Sequence, residues 1–464
     1  MVRGSYLSRA ATALALFAAF PASAQSLKEA LASAYRSNPT VEAARANYRA
    51  TEELKAQAIS NVLPQIAADG SASKVENTQT RNPSVFGPGG ATTTNIEPLT
   101  AGIDGAVPVF TGFRNYNAIR QARARVRAGE AELISIEQSL LRDAAAAYFD
   151  VLRDETIYES SLNNVEVLTR QKREADLRFE VGEVTKTDVA QADARLAQAR
   201  SQLASAQAQL AVARARFREL IGDAPTNLEK APVMPALPET LEAALALADE
   251  FAPGNIGARA QELARRRGVQ IAKGAFLPTV SLVAGYSYAE EPSTFINSDE
   301  QFSYGVRASV PIFNGGLNLS RVREARALHE SSEASVEEAE RRIIAAVTSA
   351  FEQLVASRIA INSAKAQVAA NELALTGVRR EAQLGTRSTL DVLNAEQEFF
   401  NSKVALANAE REERVASFAL LAAAGILNPE AVGIAEPGTE AAANVAPPVA
   451  AGGPIGEPAD AGGR

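Results

Sequence analysis

Two long stretches without proline constrain the fold of this chain more than any other feature. No proline occurs in the 116 residues between Pro108 and Pro225, or in the 117 residues between Pro311 and Pro429. Proline in a helix interior costs about 3 kcal/mol. Both stretches are also rich in Ala, Glu, Arg and Gln, which favour helices. They therefore predict unusually long helices.

One glycine interrupts each stretch, Gly182 in the first and Gly385 in the second, and Thr or Ser residues follow it. We therefore predict two helical hairpins, at 114–221 and 316–425, with these glycines at their tips. A first arm of about 68 residues would reach ~100 Å at 1.5 Å per residue. Apolar residues recur every seven positions, which predicts coiled-coil packing. They are Val189, Leu196, Leu203, Leu210 and Phe217 in one hairpin, and Val347, Leu354, Ile361, Val368 and Leu375 in the other.

Composition excludes several classes of function. The 464 residues include no Cys and one His, so a disulfide-stapled fold, a thiol nucleophile and a Cys zinc site are impossible. A Ser-His-Asp centre would have to use His329, which lies in a charged helical segment and is expected to be a solvated surface residue. A net charge of −8 without a basic block argues against nucleic-acid binding. No enzyme activity, metal or cofactor is predicted.

The first 24 residues have the organisation of an export signal. Arg3 and Arg9 give a positive start, Ala10 to Phe20 is an apolar run, and Ala22-Ser23-Ala24 offers a cleavage site. The run is too short to cross a bilayer, and no later stretch has about 18 consecutive apolar residues. We therefore predict a secreted chain whose own fold must hold it at any membrane that it reaches.

The chain contains two copies of one unit. Val107–Gly112 (VPVFTG) matches Val310–Gly315 (VPIFNG) at an offset of 203, and the two tip glycines share that offset. A Leu-Pro pair precedes each of these boxes. The predicted organisation is repeat 1 at 25–224, a Pro-rich linker with a short helix at 225–250, repeat 2 at 251–427, and a disordered Ala/Gly/Pro-rich tail at 428–464.

Between the Leu-Pro and Val-Pro boxes the hydrophobic period changes to two. This predicts β-hairpins at about 65–109 and about 279–312, with segments of 9–12 residues, the length that a tilted strand needs to cross a bilayer. One face would meet lipid, and the other, with Asp104 and Arg307, would line a lumen. Four aromatic residues lie toward one loop end and are expected to form an interfacial girdle: Tyr286, Tyr288, Phe302 and Tyr304.

Four strands per chain cannot close a membrane barrel. An open edge in lipid leaves backbone groups unpaired, at several kcal/mol each, so the chain is expected to oligomerise as a dimer, trimer or tetramer. The predicted fold class is a mixed α/β membrane protein with a β-barrel and a coiled-coil helical part. A periplasmic coiled-coil scaffold without a pore is the alternative, although a scaffold has no use for membrane-length amphipathic strands.

These motifs together resemble the TolC-like outer-membrane efflux duct family, over roughly residues 26–425. The matching motifs are Ser37-Asn38-Pro39, the two Leu-Pro boxes, the two Val-Pro-(Val/Ile)-Phe-x-Gly boxes, Val181-Gly182 and Leu384-Gly385-Thr386-Arg387, with Tyr148-Phe149 and Phe351 near family aromatic positions. The resemblance implies a homotrimer with a 12-stranded barrel in the outer-membrane lipid and a helical tunnel in the periplasm of a Gram-negative bacterium. It also implies two partners, a periplasmic adaptor and an inner-membrane pump or ABC exporter, in drug efflux or type I secretion.

The resemblance further assigns the hairpin tips to adaptor docking. Gly182 and Gly385 match the family glycines that meet the adaptor, and Val181 and Thr386 stand beside them. Four prolines are expected at the transition from barrel to helices: Pro64, Pro108, Pro278 and Pro311.

A gate near the tips is the other assignment that the resemblance implies. Asp391 matches a lumen-facing residue of an acidic constriction, and Arg387 matches an arginine that holds the tip closed. The chain has Asn394 where the family archetype has a second lumen aspartate, and Ala382 where it has a tip tyrosine. Asp391, like Asp188 in the first hairpin, also fits the third helical position of a capping box, so both roles stay open.

Overall fold

The computed structural model describes residues 25–83 and 89–434. The predicted export signal at 1–24, part of a loop at 84–88 and the chain from 435 to 464 lie outside the described residues. The described part has eight helices and six strands.

Two helices begin the described chain, α1 (Leu27–Ser37) and α2 (Pro39–Ser60). The start of α1 is fixed by a capping box, in which the amides and side chains of Ser26 and Glu29 hydrogen-bond reciprocally. Asn38 accepts a hydrogen bond from the Thr40 amide and so caps α2. The Asn38 side chain also donates to the Leu220 carbonyl at 2.9 Å, which ties the helix junction to a distant part of the chain.

Long helical hairpins dominate the molecule. The first consists of α3 (Arg114–Glu180) and α4 (Lys186–Ile221). Two shorter helices follow, α5 (Leu241–Phe251) and α6 (Pro253–Gly274), and then the second hairpin, α7 (Leu317–Gln383) and α8 (Thr389–Ala423). With 67 residues each, α3 and α7 are ~100 Å long at 1.5 Å per residue. The heptad residues predicted from the sequence are all buried or half-buried, which confirms the packing seam.

The strands lie beyond the ends of the hairpins that are opposite the tip glycines. They are β1 (Gln65–Ala72), β2 (Val75–Arg81), β3 (Gly90–Ile96), β4 (Leu99–Phe110), β5 (Thr279–Ser293) and β6 (Ile296–Ser309). Four of them form an antiparallel sheet in the order β1-β4-β5-β6, and β2 pairs with β3 alone. Strand β2 follows β1 and β3 precedes β4, each after a short connection. The β2–β3 pair therefore extends the β1–β4 hairpin away from the helices.

The four-stranded sheet has one apolar and one polar face. Neighbouring rows of paired residues show the alternation, with Ile103, Tyr286 and Phe302 in one row and Asp104, Gly285 and Ser303 in the next. The aromatic side chains Tyr286, Phe302 and Tyr304 are 43, 69 and 81% exposed. Among the described residues no helix packs extensively on either face, and β1 and β6 remain edge strands.

The largest buried cluster lies where the short N-terminal helix meets both hairpins. The rings of Tyr148 and Phe149 meet edge to face at 5.5 Å, and Phe217 and Phe418 complete the aromatic centre. The Tyr148 hydroxyl lies 3.0 Å from the Gln25 carbonyl oxygen and 3.1 Å from that of Glu229. Burial raises the pKa of Tyr148 to about 12.

One predicted strand boundary and one predicted tail boundary differ from the structure. Strand β6 ends at Ser309, so Ile312, which was expected in the strand, lies in an exposed connection. The four predicted strands form the sheet, and among the described residues two further strands, β2 and β3, pair with each other through polar residues that show no apolar alternation. The tail predicted from residue 428 begins too early, since Ile434 is 7% exposed and its amide donates to the Pro429 carbonyl at 2.7 Å.

Within the described residues, α7 is the one helix with a stretch of 18 residues that is long and apolar enough to cross a bilayer, with a mean hydropathy of 1.3. Its residues Val347 and Leu354 are 0 and 2% exposed and pack in a cluster with α5 and α8. These two residues therefore serve helix packing, while Ile344 and Ile359 of the same helix are 55 and 63% exposed.

Candidate functional site at the hairpin tips

The long helices α3 and α7 end in two turns of the same type. The Glu183 amide donates to the Arg178 carbonyl and the Gly182 amide to the Phe179 carbonyl, which is the Schellman pattern, and α7 ends with the same two bonds. Gly182 and Gly385 take φ values of +78° and +76°, in the left-handed region that glycine adopts without strain. A Cβ atom added to either glycine would meet no atom within 4 Å. Backbone conformation, and not crowding, therefore selects glycine at both tips.

The return helices begin with capping boxes at Asp188 and Asp391, as the sequence pattern predicts. Thr185 donates to Asp188 from its amide at 2.9 Å and from its hydroxyl at 2.7 Å. Ser388 makes the corresponding bonds to Asp391 at 3.0 and 2.8 Å. Hydrogen bonds from Thr185 lower the pKa of Asp188 below its ordinary value, and those from Ser388, with a smaller contribution from nearby Arg387, lower the pKa of Asp391. Both carboxylates are therefore held in the charged form.

Arg387 forms an ion pair within its own turn. Its Nε donates to Glu381 Oε2 at 2.8 Å, and this bond is the largest cause that raises the pKa of Arg387. The first tip has an equivalent pair in reversed order, since Arg178 Nε donates to Glu183 Oε2 at 3.1 Å. Each tip thus has its own ion pair, which joins the end of the long helix to the turn. Within the described chain Arg387 makes no bond to the first hairpin.

Asn394 connects the two hairpins. Its Oδ1 accepts a hydrogen bond of 2.9 Å from Arg195 Nη2 on α4. The preceding residue, Leu393, is 1% exposed and packs in a cluster with Leu168 and Leu196 of the first hairpin. The side of α8 nearest the tip is therefore fixed to the first hairpin by one apolar contact and one polar bond.

Sequence reasoning missed a buried charge near this contact. Glu396 is 5% exposed and pairs with Arg379, whose Nε donates to Glu396 Oε1 at 2.9 Å. The signal was a carboxylate on the apolar side of α8, three residues after buried Leu393. A buried carboxylate requires a partner, and the pair joins α7 to α8 just above the tip.

The extreme ends of the tips are apolar and exposed. Val181 and Leu384 are 72 and 80% exposed, and Leu177 and Phe179 are 64 and 45% exposed. Thr386 is also exposed, and its hydroxyl donates to the Glu381 carbonyl at 2.9 Å. Exposed apolar side chains grouped at one end of a protein are typical of a contact surface.

The four predicted transition prolines lie at the border between sheet and helices. Pro64 and Pro278 directly precede β1 and β5, and Pro311 follows the end of β6. Pro108 lies in β4, beyond Ala106, the last residue that pairs with β1. A proline there removes no hydrogen bond to β1, and the pairing of β4 with β5 shifts between Pro108 and Phe110.

A protein family described as outer membrane efflux protein matches this chain at residues 6–223 and 257–426. The outer membrane efflux protein BepC of Brucella suis biovar 1 is 32% identical over 411 residues, which cover 88% of this chain and 87% of BepC. The outer membrane protein TolC of Vibrio cholerae is 24% identical over 343 residues, which cover 72% of this chain and 78% of TolC.

Solved structures share the fold. The CmeC outer membrane channel of Campylobacter jejuni superposes with a TM-score of 0.78 at 16% identity, and the match covers 88% of this chain and 90% of CmeC. At that identity the likeness concerns the fold, that is, a small sheet joined to two long helical hairpins.

Proposed function

The chain belongs to the outer membrane efflux protein family, and we propose that three copies of it assemble into an exit duct from the periplasm to the exterior. Membership of the family places the protein in the outer membrane, with its helices in the periplasm, and makes it an efflux or type I secretion channel. The resemblance noted in the sequence is thereby confirmed. The trimer, the closed barrel and the roles of single residues are the proposed part.

The observation that carries the proposal is the uncovered, two-faced sheet. Its apolar face bears exposed Tyr286, Phe302 and Tyr304, which suit contact with lipid, and its polar face bears Asp104 and Ser303. In a bilayer the free edges of β1 and β6 would leave backbone groups unpaired, at several kcal/mol each. Pairing β6 of one copy with β1 of the next removes both edges.

Three copies of the four-stranded sheet would give a 12-stranded barrel, and the helical hairpins would continue it as a tube. The ~100 Å length of α3 and α7 suits a structure that reaches far across the periplasm. The polar face of the sheet would line the barrel, which supports passage of water-soluble cargo without any chemistry by the protein itself. Drugs and secreted proteins are the two cargo classes.

We assign the inner gate to the tips. Three copies of Asp391 around an axis would focus negative potential and attract cations. Arg387 would keep the turn beside it in shape through its pair with Glu381. Asp188 has the same capping geometry and serves as the helix cap of the first hairpin, while Asn394 holds the second hairpin against the first.

We assign the apolar tip surface to a periplasmic adaptor that connects the duct to an inner-membrane pump or ABC exporter. Val181 and Thr386 are exposed beside Gly182 and Gly385, so a partner reaches both turns without rearrangement of the hairpins. The absence of side chains on the two glycines leaves the backbone itself accessible.

The rival function is a periplasmic coiled-coil scaffold without a pore. The duct and the scaffold predict different currents in planar lipid bilayers. A duct gives discrete conductance steps, and a scaffold gives none. We expect purified protein to run as a heat-modifiable trimer on gels and to conduct. A monomer without conductance would defeat the duct and favour the scaffold.

A further inference from the structure

We propose that Glu262, His329 and Glu333 form a binding site for a divalent transition metal, of the zinc class, that cross-links α6 to α7. The three side chains each offer one ligand atom, and these atoms lie within 4.8 Å of one another. Glu262 is on α6, and His329 and Glu333 are four residues apart on α7, so that both point from the same face of that helix.

The surroundings of His329 differ from the solvated position expected from the sequence. Its side chain is 20% exposed, and its Nε2 lies 2.7 Å from Glu262 Oε1. Its Nδ1 lies 3.9 Å from Glu333 Oε2. The ring is thus enclosed between two carboxylates from two helices.

The donor set suits zinc and similar ions. One imidazole nitrogen and two carboxylate oxygens are the ligands of an open tetrahedral site, in which water takes the fourth position. Two negative carboxylates and a neutral imidazole also balance the charge of a divalent ion. The hydrogen bond between Glu262 and His329 would be replaced by two bonds to the metal, with release of a proton wherever the ring is charged.

The groups around the site allow this exchange. Arg266 Nε lies 3.9 Å from the same oxygen of Glu262 and its side chain is 54% exposed, so the arginine turns toward solvent without loss of a buried contact. The Glu333 side chain is 58% exposed and rotates freely toward the ring. An ion takes one nitrogen of the ring. With Nε2 as that ligand, Glu262 is already beside the site, and exposed Glu333, which lies on the Nδ1 side, would have to swing around the ring to bring its oxygen to about 2 Å from the ion.

The position of the site on α7 indicates its structural effect. His329 is in the fourth turn of α7, about 18 Å along the helix from its first residue at 1.5 Å per residue. A metal there would fasten the short helix α6 to α7 not far below the sheet. The chain has no cysteine, so no disulfide is available for the same purpose.

The test is a titration of purified, chelator-treated protein with Co²⁺, carried out with an affinity tag that contains no histidine. We expect one Co²⁺ per chain with the visible spectrum of a tetrahedral site, displaced by Zn²⁺. His329→Gln and Glu262→Gln should each weaken binding by at least ~10-fold, and Glu330→Gln, an exposed neighbour, should not. Zn²⁺ should also raise the melting temperature of the natural protein and of E330Q only.

A second spectrum identifies the ligand. Because His329 is the one histidine in the sequence, an imidazole nitrogen signal in pulsed EPR of the Cu²⁺-loaded protein can come from no other residue. Equal binding by H329Q, a Cu²⁺ spectrum without imidazole nitrogen, or no saturable binding would each overturn the site. The measurements need no pore, so their outcome is independent of the proposed duct.

Discussion

Arg195 of the first hairpin donates a hydrogen bond of 2.9 Å from Nη2 to Oδ1 of Asn394 in the second hairpin. This bond lies next to the apolar contact of Leu393 and is the polar connection between α4 and α8 near the tips. In the proposed duct, opening at the tips would separate the two hairpins, and this bond would resist that movement.

Arg195→Ala should therefore favour the open state. A hydrogen bond worth about 1 kcal/mol shifts an equilibrium about fivefold when it is lost. We expect a higher single-channel conductance and greater sensitivity of cells to large antibiotics. Arg200→Ala removes an exposed arginine that makes no bond to α8 among the described residues, and it should conduct like the natural protein. An R195A channel with unchanged conductance would show that the bond does not restrain opening.

Asn394→Asp should act in the opposite direction. A carboxylate opposite Arg195 turns the present bond into a charge-assisted one, about twice as strong. We expect lower conductance than in the natural protein, and the effect should disappear when N394D is combined with R195A. Lower conductance that persists in the double variant would mean that the added charge acts on ions directly.

Asp391→Ala should weaken the block of channel current by trivalent cations. In the proposed trimer three carboxylates around the axis attract a cation together, so their removal should raise the block constant roughly 10-fold or more. Asp188→Ala is the matched control, because it removes an identical capping box from the first hairpin. Equal loss of block in both variants would assign the effect to helix capping and remove Asp391 from the constriction.

Substitutions of the tip glycines separate backbone strain from docking. A residue with a Cβ at Gly182 is destabilised by about 1–2 kcal/mol in the left-handed conformation. Asn tolerates this conformation best and is small. Gly182→Trp should impair export while trimers remain in the outer membrane, and Gly182→Asn should export nearly normally. Equal export by both variants would contradict adaptor docking at this turn.

Tyr148→Phe should destabilise the protein by about 1 kcal/mol, because the hydrogen bond that the hydroxyl shares between the carbonyls of Gln25 and Glu229 is lost. The folded protein holds the pKa of Tyr148 at about 12, above its ordinary value of 10. The hydroxyl therefore contributes stability below pH 10 and loses it as the pH rises toward 12. Urea unfolding from pH 8 to 11.5 should show an alkaline loss of stability that is smaller in Y148F, and parallel curves would refute the role.

The sequence was sufficient for the elements of the fold. Proline-free stretches, heptads and tip glycines locate α3, α4, α7 and α8, and local capping patterns identify Asp188 and Asp391 as caps. Alternation of apolar and polar residues gives the two faces of β4, β5 and β6. These features depend on residues a few positions apart, and backbone geometry alone brings such residues together.

The extra strands needed the structure, because β2 and β3 show no apolar alternation. Their backbones form a regular antiparallel ladder and their side chains are polar, with the hydroxyls of Thr78 and Thr93 lying 3.0 Å apart, so the sequence carries no periodic apolar signal.

The tertiary structure alone decided which charged and polar side chains meet across helices. The pairs Arg195 with Asn394, Arg379 with Glu396 and Glu262 with His329 join residues separated by 199, 17 and 67 positions. A charged residue in a helical sequence looks the same whether it faces water or a neighbouring helix. Its surroundings are set by how the helices pack, which is a property of the whole fold.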